Sequence, residues 1–154
     1  MLAEARTLTK EEQFAIKQND FEIWSSYTQG SFKIARYAYQ ECLLCHSAFS
    51  FHQASENAII TFLLVHTGYK PKTHDLEILR RKVQSIEPSF AQWFDLTDMV
   101  GRHHFDLLRR AYIEARYSKA YSISLAELQF IEARIDRFKR QVNVFCQQEL
   151  ARMN

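Results

Sequence analysis

The residues whose types and spacing point most directly to chemistry lie between two helical patterns, in Gly68-Tyr69-Lys70-Pro71-Lys72-Thr73-His74-Asp75-Leu76. Gly68 and Pro71 stop one helix, and Thr73 is expected to cap the next. That gathers two lysines and a histidine at a helix N-terminus, where free backbone N–H groups favour anions. The chemistry expected of Lys70, Lys72 and His74 is contact with a phosphate. The same stretch also reads as a solvated turn between helices.

A second group lies in Ala111-Tyr112-Ile113-Glu114-Ala115-Arg116-Tyr117-Ser118. Arg116 can grip a phosphate with two parallel N–H groups, and Tyr112 and Tyr117 can stack on a base or donate a hydrogen bond. The alternative is structural: Arg116 bonds helix-end carbonyls while the tyrosines fill the end of a bundle. A third group, His52, Gln53, Glu56 and Asn57, forms one polar side of an otherwise apolar segment. Buried polar groups need partners, so these four residues form either a hydrogen-bonded core network or part of a pocket.

Other candidates are set aside on physical grounds. Cys42-Leu43-Leu44-Cys45-His46 matches the haem-attachment pattern, but that chemistry needs export and an exposed loop. Here the stretch sits at a helix junction among aromatics, so its cysteines are read as small apolar packing groups. His103 and His104 are adjacent on a helix and point about 100° apart, which is poor geometry for sharing a metal. No HExxH, P-loop or GxGxxG pattern occurs. The acidic residues are scattered, without the close set a nucleotidyl-transfer metal site needs. Neither a metal nor a cofactor is expected.

The elements that must position these groups are helical. Gly 3 and Pro 2 in 154 residues leave few turns for a β-rich fold, while 47% hydrophobic and 14% aromatic residues supply one core. Five helical segments are expected: about Thr9 to Glu41, Ser47 to Thr67, Thr73 to Ile86, Thr97 to Tyr117, and Ser124 onward. Ser89 to Leu96 links the third and fourth. Thr9-Lys10-Glu11-Glu12 and Ser124-Leu125-Ala126-Glu127 have the form of capping boxes. In the first segment Phe21, Trp24, Tyr27, Ile34 and Ala38 lie at helical spacings, and Gly30 is a candidate break or kink. The second is apolar around most of its circumference, as a central helix is. The last carries Leu128, Ile131, Ile135, Phe138, Val142 and Phe145 at alternating steps, the spacing of a bundle seam. The predicted fold is all-α, an antiparallel up-and-down bundle of about five helices. A lead-in over residues 1–19 precedes the bundle domain at 20–150.

The formal net charge of +2 gives no whole-molecule field for tight nucleic-acid binding, so such binding needs a local patch. No apolar run is long enough to span a membrane. Met1 to Thr7 lacks a signal-peptide core, and three cysteines in such a chain suggest reduced thiols. The expected location is the cytoplasm.

Three blocks then act together. Phe51-His52-Gln53-Ala54-Ser55-Glu56-Asn57-Ala58, the Gly68–Leu76 stretch and Ala115-Arg116-Tyr117-Ser118 resemble the HEPN domain family in order and separation. The likeness covers roughly Asp20 to Gln148. It is similar above all to HEPN domains that follow a small nucleotidyltransferase domain in one polypeptide, and to the C-terminal domain of kanamycin nucleotidyltransferases, which helps form the substrate pocket. The resemblance implies a prokaryotic helical bundle that pairs into a homodimer. It also implies binding of a nucleotide or RNA beside a nucleotidyltransferase domain or partner, in a toxin–antitoxin or nucleotide-transfer system. The chain would be the C-terminal part of a longer protein or a stand-alone partner. Lys70, Lys72 and His74 would touch phosphate, Arg116 and Tyr117 would bind at the same end, and His52 and Glu56 would line the floor.

Many HEPN proteins are metal-independent ribonucleases with an Arg, four to six residues, then a His. None of His46, His52, His66, His74, His103 and His104 has an Arg at that distance. The expected module is therefore non-catalytic. The alternatives are a ribonuclease with an atypical site, such as His74 with Arg116 or Arg80, and a purely structural homodimer.

Overall fold

The structure, a computed structural model, describes residues 5–154; the first four residues of the expected lead-in lie outside them. The helices are α1 (Lys10–Gln40), α2 (Leu44–Thr67), α3 (Leu76–Ile86), α4 (Met99–Arg110), α5 (Glu114–Tyr117) and α6 (Leu125–Met153), with a 3₁₀ turn at Pro88–Gln92 between α3 and α4. No strand occurs among the described residues. The chain is the all-α bundle that its composition predicts.

Both capping boxes form. Thr9 accepts from the Glu12 N–H and Ser124 from the Glu127 N–H, each at 3.1 Å, and each glutamate reaches back to the cap N–H. α1 runs unbroken through Gly30, and through the expected division at residues 19 and 20. Helical hydrogen bonds on both sides of Gly30 outweigh the roughly 1 kcal/mol propensity deficit of one glycine.

α2 is the central element and packs against α1, α3, α4, α5 and α6. Phe51, Ala54, Ile59 and Val65 are fully buried along it. α6 lays Leu128, Ile131, Ile135, Phe138 and Val142 into the core as its spacing predicts. Beyond Val142 the buried row passes to Cys146 and Leu150, and Phe145 is only half-buried. A straight helix turns every 3.6 residues, so a 3.5-residue seam drifts off its face. The 3₁₀ turn and its exit insert Phe90, Trp93 and Phe94, with Trp93 stacked on Phe138 at 4.3 Å.

Two local expectations are corrected. The segment expected from Thr97 to Tyr117 divides into α4 and α5. The Ala111 N–H bonds to the Leu108 carbonyl at 3.2 Å, a tightened last turn, and the Leu107 carbonyl accepts from the Tyr121 hydroxyl at 2.7 Å. Tyr121 is a tertiary partner, so the break has no local signal. At α3 the cap is Asp75, not Thr73. Asp75 accepts from the Glu77 N–H at 2.9 Å, and Thr73 instead accepts from the Asp75 N–H at 3.1 Å.

Candidate functional site

The site is built outward from Glu56. His52 and Glu56 stand one turn apart on α2 and share a face of that helix. Both are buried, although most of the helix around them is apolar. Glu56 Oε1 lies 2.7 Å from His74 Nδ1, on the loop that returns from α2 toward α3. His52 Nδ1 is 3.8 Å from Glu56 Oε2, too far for a hydrogen bond, and is 3.3 Å from Gln53 Oε1. His52 Nε2 and Glu56 Oε2 have no partner among the described residues. Burial lowers the His52 pKa from its ordinary 6.5 to about 4, and raises that of Glu56, with the hydrogen bond from His74 pulling Glu56 the other way.

Tyr112, in the break between α4 and α5, closes this face. Its ring stacks on His74 at 4.7 Å and 14°, and lies 5.1 Å from His52 and 6.2 Å from Phe49. Arg116 follows one turn later. Its Nε donates to the Tyr112 carbonyl at 2.8 Å, and its guanidinium lies over Phe49 at 4.5 Å and over Tyr112 and Tyr117 at 4.9 Å. The helix-end bond considered for Arg116 is thus made by Nε alone. Its two terminal amino groups have no hydrogen-bond partner among the described residues.

Beside this slab opens a cleft of about 500 Å³, lined by His74, Asp75, Arg109, Arg110, Tyr112, Ile113 and Glu114. Arg109 clamps Asp75 with bonds of 3.0 and 3.1 Å and holds its carboxyl below the usual range. Arg110 is shared between Asp106 and Glu114. The arginines lining the cleft are therefore neutralised, whereas Arg116, which touches the cleft residue Tyr112, keeps both terminal amino groups without a partner among the described residues. The α3 N-terminus is also occupied, by the Asp75 carboxylate. That carboxylate takes the Glu77 N–H and is itself paired with Arg109.

The polar side of α2 makes a hydrogen-bonded set and none of its four residues lines the cleft: Asn57 donates to Ser31 at 3.3 Å, and Glu56 holds His74, which faces the cleft. His52, His74 and Arg116 converge on Tyr112, with Glu56 bonded to His74. Lys70 lies over Trp24 of α1 at 5.1 Å, within electrostatic range of Glu56. Lys72 is exposed with no partner among the described residues, and Tyr117 is exposed beneath Arg116. Sequence reasoning missed Tyr112 as the hub and the Asp75–Arg109 clamp. The clamp spans 34 residues and has no local signature. Tyr112 carried one available signal, its position one turn before Arg116.

Chemically, the buried carboxylate orients the His74 ring through Nδ1 and leaves Nε2 without a partner among the described residues, on a half-exposed side chain. Arg116 adds a planar fork beside aromatic faces. Among the described residues no three His, Cys, Asp or Glu side chains are grouped to hold a metal ion. No helix among them is long and apolar enough to cross a membrane.

The family model described as HEPN domain matches residues 21–144. No curated protein matches the chain.

Proposed function

We propose that this chain, which belongs to the HEPN domain family, is a module that binds a nucleotide or RNA through a phosphate at the rim formed by His74 and Arg116. The observation that carries this reading is the shared contact of both side chains with Tyr112, with Glu56 orienting His74 from behind. Tyr117 offers a ring face to a base, Lys70 and Lys72 add charge from the loop, and His52 and Glu56 form the floor. The module works with a nucleotidyltransferase domain or partner and forms a homodimer, in a toxin–antitoxin or nucleotide-transfer setting. That part rests on the sequence resemblance of the Phe51–Ala58, Gly68–Leu76 and Ala115–Ser118 blocks to nucleotidyltransferase-linked HEPN domains.

Calorimetric titration with ATP and with a short single-stranded RNA tests the site. A charge-assisted bond contributes about 1.5–3 kcal/mol, so Arg116→Ala weakens binding by roughly tenfold or more. Lys70→Ala with Lys72→Ala weakens it with helicity intact. Unchanged affinity in all three positions removes the rim from consideration. The oriented His74 ring favours one second reading, a ribonuclease in which His74 handles the 2′-OH proton and Arg116 steadies the phosphate. RNA cleavage in chelator that His74→Ala abolishes would establish it.

A further inference from the structure

The arrangement at Arg116 is built twice. Arg116 lies over Tyr112, one turn before it, and Tyr112 stacks on His74. On α6, Arg134 lies over Phe130, again one turn before it, at 4.8 Å. Phe130 stacks in turn on His104 of α4, at 3.9 Å and 24°. In each stack the histidine Nδ1 faces an oxygen at 2.7 Å, Glu56 Oε1 in the first and the Val100 carbonyl in the second. In each, Nε2 has no partner among the described residues. Arg134 is half-buried, yet no carboxylate or carbonyl takes its N–H groups among the described residues. Two carboxylates near this stack are engaged elsewhere. Asp95, on which Arg134 and Arg102 act electrostatically, accepts from the Thr97 N–H and hydroxyl. Glu127 holds His103 and the Ser124 N–H. A partly desolvated guanidinium with an unfilled fork is suited to a planar or tetrahedral oxyanion.

We infer that Arg134, backed by Phe130 and His104, is a second phosphate site, and that the ligand is a single strand of RNA long enough to touch both arginines rather than a mononucleotide. His104 stands in the first half of α4 and Tyr112 just past its end, eight residues on, which is about 12 Å along a helix axis. The phosphates of a mononucleotide are contiguous and fill one stack. A strand offers a phosphate at every nucleotide and can reach the other. Between the two stacks Arg109 and Arg110 are paired with carboxylates, so the unpaired guanidiniums at either end set where the strand is held. A single strand, rather than a duplex, fits Tyr117. Its ring is 75% exposed and can stack only on a base that has left its own stack. The net charge of +2 also favours a few built contacts over a diffuse field. This inference rests on the reading above for its first site; the second stands on its own geometry.

The test titrates the full chain, by calorimetry at several salt concentrations, with ATP and with oligouridylates from a dinucleotide up to about twelve nucleotides. Affinity rises with length until the strand reaches both stacks. Arg134→Ala weakens the longest strand by roughly tenfold and leaves ATP binding and helicity unchanged. It also lowers the salt slope by about 0.7, the share of one phosphate on a single strand. Arg134→Lys keeps the charge without the fork, so it restores the salt slope but not the full affinity. Arg116→Ala weakens ATP and strand alike. If Arg134→Ala binds every length as the wild-type chain does, Arg134 only packs on Phe130, and this inference is overturned while the rim stands. A wild-type chain that binds ATP as tightly as the longest strand overturns it too. Weakening by Arg134→Ala with none by Arg116→Ala removes the rim and keeps the second site. A wild-type chain that binds neither ATP nor any strand overturns both.

Discussion

His52 is fully buried one turn before Glu56, and the folded chain keeps its ring neutral where the unfolded chain would protonate it. Between pH 6.5 and about 4 the unfolded state binds more protons at this position. Its contribution to stability is therefore full above pH 6.5 and is lost as pH falls toward 4. Glu56 acts with the opposite sign: a raised carboxyl stabilises the fold below its ordinary 4.5 and loses that contribution as pH rises. His52→Gln should remove the histidine's share, on the order of 3 kcal/mol, from the acid-side loss of stability. Urea unfolding at neutral and mildly acid pH checks this, and an unaltered pH dependence would contradict it. The residue types at the candidate site were legible in the sequence, since Lys70, His74 and Arg116 are conspicuous by kind and spacing. Their pairing was not. Thr73 and Asp75 can each cap a helix, and Arg109, reaching across from α4, binds the carboxylate that takes the cap.

The helices themselves are mostly local constructions. Capping boxes at Thr9 and Ser124 and the seam of α6 follow from spacings of three and four residues, which is why they could be read directly. The break after Arg110 depends on Tyr121, whose hydroxyl takes the carbonyl that the helix gives up. At the start of α4, Gly101 is buried where a Cβ would collide with the Asp95 carbonyl and stand 2.8 Å from its carbon. Both atoms are backbone and cannot swing aside. Gly101→Ala should thus destabilise the chain by about 3 kcal/mol. Gly30→Ala, in open space, should stabilise α1 by about 1 kcal/mol in a monomeric background. The two substitutions are chemically identical and of opposite predicted sign, and paired urea midpoints decide between them.

Across the whole molecule, α6 joins the central helix to the 3₁₀ link through one aromatic cluster. Phe138 is fully buried, stacked on Trp93 and set edge-on to Phe90 at 5.0 Å. Phe138→Ala should cost about 3–5 kcal/mol, a large share of a domain's total stability. If the bundle unfolds as one unit, far-UV and tryptophan signals shift together in denaturant. Separate transitions would show that the 3₁₀ link opens on its own.

Composition and periodicity by themselves determined the class and the helices, because scarce Gly and Pro, capping residues and apolar spacings all act within a few positions along the chain. They also determined which side chains were available for binding. Tertiary structure decided which of those side chains meet, since Glu56 reaches His74 across 18 residues and Asp75 reaches Arg109 across 34. It decided, too, that the Tyr27 and Ile34 stripe of α1 faces outward while Phe32 and Ala35 face in. Both rows are apolar at helical spacing, and only the packing of α2 and α6 against α1 separates a core from a surface.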